Sequence, residues 1–328
     1  MEIQHLSCFR RELMGVAMLS VMIFHVVGNH NDTLVLSMVR CGDIGVDIFL
    51  FLSGMGLWYA WNKNPSLSYF YKRRIVRIYP AWLIVTGIIY IPRLICGNMS
   101  IGMLIGEWTI GLGFWRSGDL SFWFIPAIMA LYLCAPFYMH LIRRFPTYRW
   151  LPLFFACLCV LIEYWTPLHQ HLGHLELFLT RIPIFLLGVN CGQWSKEQRQ
   201  IEPGAWPLLL LCFAASSFIC IGYSYGLFGG CPLFIVRLVH VPLSFTSMLL
   251  LCRLLRCLPS RTLRPLSLLG TISLEFYLIQ QQFVLKYLYD TSLSYGTKAM
   301  LTLLISTAAA WLLHQLIAVT ASLSHPTV

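Results

Sequence analysis

The stretch Glu12–His25, ELMGVAMLSVMIFH, decides how the chain is read: an unbroken apolar run, interrupted only by Ser20, ends in a histidine. Comparable runs recur as far as Thr320 with short polar breaks between them. A helix that crosses hydrocarbon needs about 20 apolar residues. By that measure segments fall near 12–30, 43–62, 76–96, 121–141, 149–166, 177–194, 205–224, 231–252, 266–289 and 298–320. The composition of the 328 residues agrees, with 58% hydrophobic, 11% charged and a mean hydropathy of +0.72. Soluble domains carry about 25% charged residues, so this chain has too few charges to cover a water-soluble surface. Disorder needs the opposite composition. The expected fold is all-α: a polytopic membrane protein of about ten transmembrane helices, one domain over 1–328. A Gly-rich run at 100–115, holding Glu107 and Arg116, is too short and polar for a span and reads as re-entrant or interfacial.

The distribution of basic residues sets the orientation. With ten helices, 16 of the 23 Lys and Arg fall on the side of the two termini, among them Arg10, Arg11, Arg73, Arg74 and Arg77. Five fall on the other side, and Arg181 and Arg237 lie within apolar segments. Positive charge collects on the cytoplasmic side, so both termini are expected there. The net charge of +10 follows from this topology, without a nucleic-acid partner. The N-terminal segment has no small-residue cleavage site, and its apolar run is expected to stay as an anchor. Most of the twelve cysteines sit inside apolar runs, and none shows a metal or redox spacing.

Titratable groups inside a membrane are expensive and therefore informative. His25 lies about 20 Å of helical rise beyond Arg11, in the outer half of the bilayer. Asp43 and Asp47 open the second run at i, i+4, on one face. A carboxylate beside His25 would fix its tautomer and make it a general base for a hydroxyl. The plainer reading is a packed histidine bonded to a neighbouring helix. Arg73, Arg74 and Arg77, in FYKRRIVRIYP, offer guanidinium forks that suit phosphate oxygens. A topology anchor on anionic lipid heads is the alternative. Tyr79 and Pro80 are expected to mark the entry of the third helix.

Three weaker features complete the reading. The loop HQHLGHLE offers His169, His171, His174 and Glu176 without an ordered ligand spacing, so no metal is expected. Glu275 needs a partner, with Arg181 and Arg237 the cations within reach. The aromatics of GLGFWRSGDLSFWFIP (111–126) could face a sugar or form an interfacial belt.

Several motifs together resemble the acyltransferase 3 family of integral membrane acyltransferases. They are ELMGVAMLSVMIFH, GVDIFLFLSG, FYKRRIVRIYP, FWFIPAIMALYLCAPF, RIPIFLLGVNCG and LLGTISLEFYLIQQ, in an order that spans residues 7 to 320. The resemblance implies transfer of an acyl group, commonly acetyl from acetyl-coenzyme A, to sugars of cell-surface or exported glycans. It places His25 on the family's helix-one histidine, regarded as essential, and Asp47, Ser53 and Gly54 on its GVD…SG motif. Arg73, Arg74 and Arg77 fall on its basic motif, which favours the phosphate reading, because coenzyme A carries a pyrophosphate and a 3′-phosphate. Two positions depart from the pattern. Met14 stands where the family commonly has an Arg, with Arg11 one turn away to take that role. Gln280 stands where the late YLxH motif has its histidine.

The expectation is therefore an O-acyltransferase of the cytoplasmic membrane with no permanently bound cofactor. Acyl-coenzyme A would bind at Arg73, Arg74 and Arg77 with Arg11 assisting. His25, oriented by Asp47, would serve as base or transient acyl carrier toward a glycan or lipid-linked sugar. The rival is a transporter or flippase on the same scaffold, although no internal repeat of the kind transporters show is visible.

Overall fold

A computed structural model describes residues 3–27, 33–166, 172–229 and 231–324. Most of these residues are helical, with no strand among them. After a single turn at His5–Cys8, the helices are α1 (Arg10–Val27), α2 (Leu34–Arg40), α3 (Ile44–Lys63), α4 (Leu67–Ile95), α5 (Ile101–Ile110) and α6 (Leu112–Ser117). Then come α7 (Phe124–Arg144), α8 (Leu151–Trp165), α9 (Gly173–Leu179), α10 (Ile182–Lys196) and α11 (Trp206–Tyr225). The chain closes with α12 (Leu233–Leu255), α13 (Ser260–Thr271), α14 (Ser273–Ile279) with a π turn over Gln280–Leu285, and α15 (Tyr295–Ser324).

Local chemistry starts and stops several of these. Thr33 Oγ1 accepts the Leu36 N–H at 3.2 Å, and Ser100 Oγ accepts the Met103 N–H at 3.2 Å, so each caps its helix. Gly111, at φ +65°, ends α5 in the left-handed conformation. Glu107 reaches over that turn and accepts the Gly113 N–H at 2.6 Å, which ties α5 to α6. The 100–115 run is thus two short helices, neither long enough to cross a membrane.

Seven helical stretches are long and apolar enough to cross a membrane: Leu67–Ile95, Phe124–Arg144, Pro146–Trp165, Gly173–Lys196, Pro203–Tyr225, Leu233–Leu255 and Tyr295–Thr320. Their outer faces carry large exposed apolar side chains such as Leu208, Leu211 and Phe218 on α11, a surface made for lipid. Helix α3 is deeply enclosed; from Ile48 to Trp58 only Phe49 and Gly56 escape full burial.

Without a hydrophobic force between helices in lipid, close packing depends on small residues. A Cβ at Gly270 of α13 would strike the Arg11 carbonyl of α1, and one at Gly15 would strike the Leu266 carbonyl. The two backbones touch at this crossing.

Two expectations need correction. The third helix begins at Leu67 rather than near 76, and Pro80 lies inside it, not at its entry. FYKRRIVRIYP is therefore a continuous helical stretch, since neighbouring helices tolerate an interior proline in such bundles. The ninth run, 266–289, is broken into α13, α14 and the π turn.

Candidate active site

Two cavities lie back to back within the bundle. The inner one, about 370 Å³, is lined by Arg10 and Arg11 of α1, Arg73, Arg74 and Arg77 of α4, Ser53 of α3 and Tyr132 of α7. Arg10 Nε donates to the Leu52 carbonyl at 3.2 Å, and Arg77 donates to the Thr271 carbonyl at 3.1 Å. Arg74 stacks between the rings of Phe70 and Tyr132, its guanidinium carbon 5.3 and 5.8 Å from their centroids. Arg73 is anchored on the Tyr69 hydroxyl at 2.9 Å. None of the five has a carboxylate within 4.0 Å among the described residues. Five guanidiniums share this cavity with no carboxylate partner among the described residues, which makes its wall electropositive. Met14 faces the same cavity.

The outer cavity, about 390 Å³, holds His25, Arg40, Asp43, Trp123, Arg181, Tyr223, Arg237 and His240 on its walls. His25 Nδ1 lies 2.9 Å from Gln280 Nε2, and its carbonyl accepts the Tyr289 hydroxyl at 3.2 Å. Gln280 is the first residue of the π turn and fully buried. π turns inside helices mark functional positions, and this one carries the side chain that holds the histidine. The amide selects the His25 tautomer: its N–H facing Nδ1 leaves the ring proton on Nε2, whereas its oxygen facing Nδ1–H leaves Nε2 as the acceptor.

Asp47 does not orient His25, contrary to expectation. It is 1% exposed and sits 4.0 Å from Arg181 Nε and 3.7 Å from His240 Nδ1, with Asp43 3.6 Å from the same imidazole. Arg181 also lies over the Trp123 ring at 5.2 Å. Arg237 pairs with Glu176. Asp43, Asp47 and Glu176 thus face Arg181, Arg237 and His240 in one largely buried network, several of whose members line the cavity of His25. Glu275 takes neither arginine; it is paired with His314 at 2.8 Å. Of the loop histidines, His169 and His171 lie outside the described residues. His174 packs edge-on against Phe114 at 5.6 Å, and no group of metal-binding residues occurs among the described residues.

Sequence reasoning missed Arg10, His240 and the Gln280–His25 contact. Arg10 was counted only as a topological charge, although its deep placement against α3 puts it in the inner cavity. A third, apolar groove of about 510 Å³ opens beside the inner cavity and shares Arg74, Ile78 and Tyr132 with it.

Comparison with known families decides the class. The family model described as "Acyltransferase domain", acyltransferase 3, matches residues 13–322. The chain belongs to the acyltransferase 3 family. Among curated proteins it is similar to the acyltransferase MdmB of Streptomyces mycarofaciens, 29% identical over 133 residues, which are 36% of this chain and 33% of that protein. The chain thus spans about a third of that relative's length. No solved structure matches. As a member of this family the chain carries its seven long apolar helices around two adjoining cavities, which form the candidate site.

Proposed function

We propose that this acyltransferase moves an acyl group, acetyl in the simplest case, from acyl-coenzyme A to a hydroxyl of a cell-surface or exported glycan or a lipid-linked sugar. In this reading ten helices cross the bacterial cytoplasmic membrane, α1, α3 and the broken α13–α14 joining the seven longer stretches. Both termini face the cytosol, a reading the 16-to-5 partition of basic residues supports, and the inner cavity opens there.

The observation that carries the reading is the set of five arginines, without a carboxylate partner among the described residues, in a cavity that backs onto the cavity of His25. The phosphates of coenzyme A dock on Arg10, Arg11, Arg73, Arg74 and Arg77, where bidentate forks match phosphate oxygens. The acyl end points outward. In the outer cavity, the rings of Trp123 and Tyr223 beside polar groups suit a sugar face. His25 Nε2 takes the proton of the acceptor hydroxyl as its oxygen attacks the thioester carbonyl. The C–O bond forms, the C–S bond breaks, and the departing thiolate receives the proton that His25 carried. A relay through an acyl-imidazole uses the same two substrates and the same side chain, with the imidazole as first nucleophile. Asp47 supports the site by holding Arg181 and His240 in the outer wall.

The test is transfer of label from radiolabelled acetyl-coenzyme A to extracted glycans, in membranes carrying wild type, His25→Ala or Arg74→Ala. Label that vanishes with His25→Ala, and a weaker donor affinity with Arg74→Ala, support the reading. Label unchanged in His25→Ala sinks it.

A further inference from the structure

The inner and outer cavities share three lining side chains: Val21 of α1, Val46 of α3 and Tyr277 of α14. All five arginines lie on one side of this trio and His25 lies on the other. Val21 is 2% exposed and stands one turn inward of His25 at i, i+4, directly beneath the imidazole on the same face of α1. Two of the three side chains are β-branched and stiff at χ1. The third is tethered: the Tyr277 hydroxyl accepts the Phe124 N–H at 3.3 Å, and its ring packs on Phe124 with centroids 5.5 Å apart. None of the three can swing aside as a methionine or lysine would.

We propose that Val21, Val46 and Tyr277 form a neck that sets the length of acyl group the enzyme accepts, passing short acyl groups and turning longer chains away. The inference rests on the reading that the donor's phosphates sit on the arginines and its acyl end travels to His25. The acyl group is the leading tip of that donor, so it meets the neck first, whether His25 then carries it or an acceptor hydroxyl attacks it. Close-packed apolar walls separate ligands that differ by one methylene by about 10- to 200-fold. The bonds made and broken are the same for every chain length. The neck therefore acts on passage alone, and its signature is in donor binding.

The experiment is calorimetric binding of coenzyme A, acetyl-, butyryl- and hexanoyl-coenzyme A to the full-length protein in detergent. Wild type is compared with Val46→Ala, Val21→Ala and Val46→Phe, and affinity for coenzyme A itself serves as the check that each variant is folded. In wild type, affinity falls at least about tenfold from the acetyl to the butyryl donor. In either alanine variant that gap closes to within about twofold, and in Val46→Phe acetyl-coenzyme A binds no better than coenzyme A. A wild-type affinity that is flat or rises with chain length overturns the neck, because longer chains are then housed elsewhere, as in the apolar groove beside Arg74. A gap that persists unchanged in both alanine variants overturns it as well. Failure of coenzyme A itself to bind wild type, or binding indifferent to Arg74→Ala, is a different result: it removes the donor site on which the inference stands.

Discussion

Gln280 Nε2 and His25 Nδ1 lie 2.9 Å apart across 255 positions of sequence, and this neutral amide, not a carboxylate, is what fixes the imidazole. A carboxylate in that place would stabilise the imidazolium; an amide only selects a tautomer. Gln280→Leu is therefore expected to leave donor affinity within about twofold while lowering turnover by roughly 10²-fold, the scale of a positioned general base. Turnover in Gln280→Leu equal to wild type would show that the contact only packs.

Asp47 makes a separate prediction. Arg181 and His240 are each 4% exposed, and Asp47 lies within 4.0 Å of both. Removing one partner of a buried ion pair costs about 3–5 kcal/mol. Asp47→Asn should lower unfolding stability in detergent by that order, read as a fall in the denaturation midpoint. A fully stable Asp47→Asn protein that has lost turnover would restore Asp47 to a direct role at His25.

Arg74 is stacked between two rings, and a lysine cannot reproduce either the stacking or the fork. Arg74→Lys is expected to lose about tenfold in coenzyme A affinity despite keeping the charge. Dephospho-coenzyme A should also compete about tenfold less well than coenzyme A for wild type. Equal competition by the two would remove the 3′-phosphate from the cavity.

The crossing of α1 and α13 can be tested with one carbon atom. Gly270→Ala drives a Cβ into the Arg11 carbonyl, whereas the same change at Gly204 meets nothing within 4 Å. Overpacking of this kind costs about 1–3 kcal/mol. The thermal midpoint should fall for Gly270→Ala and stay put for Gly204→Ala.

The helical class and the apolar runs were legible because hydropathy acts locally, and a run such as 205–224 needs no tertiary context to declare itself. The arginine cluster was legible for the same reason: Arg73, Arg74 and Arg77 share one continuous stretch. Partners were not. Glu275 found His314, and His25 found Gln280, through contacts between helices far apart in sequence. Arg10 escaped because only Arg11 stands one turn from Met14 and Arg10 entered the reading as a topological charge; adjacent positions on a helix point about 100° apart, yet the inner cavity receives both. Nor does any proline announce the break at Ile272, where α13 gives way to α14 and the chain turns to deliver Gln280.

Arg10, Arg11, Val21 and His25 all belong to α1, which gives this one helix the character of a ruler. Each residue advances it by about 1.5 Å and turns it by about 100°. A single insertion or deletion between Met14 and Val21 would leave the phosphate end where it is and rotate His25 out of reach of Gln280. Substitution can retune such a helix, whereas a change in its length would break the alignment of its two ends.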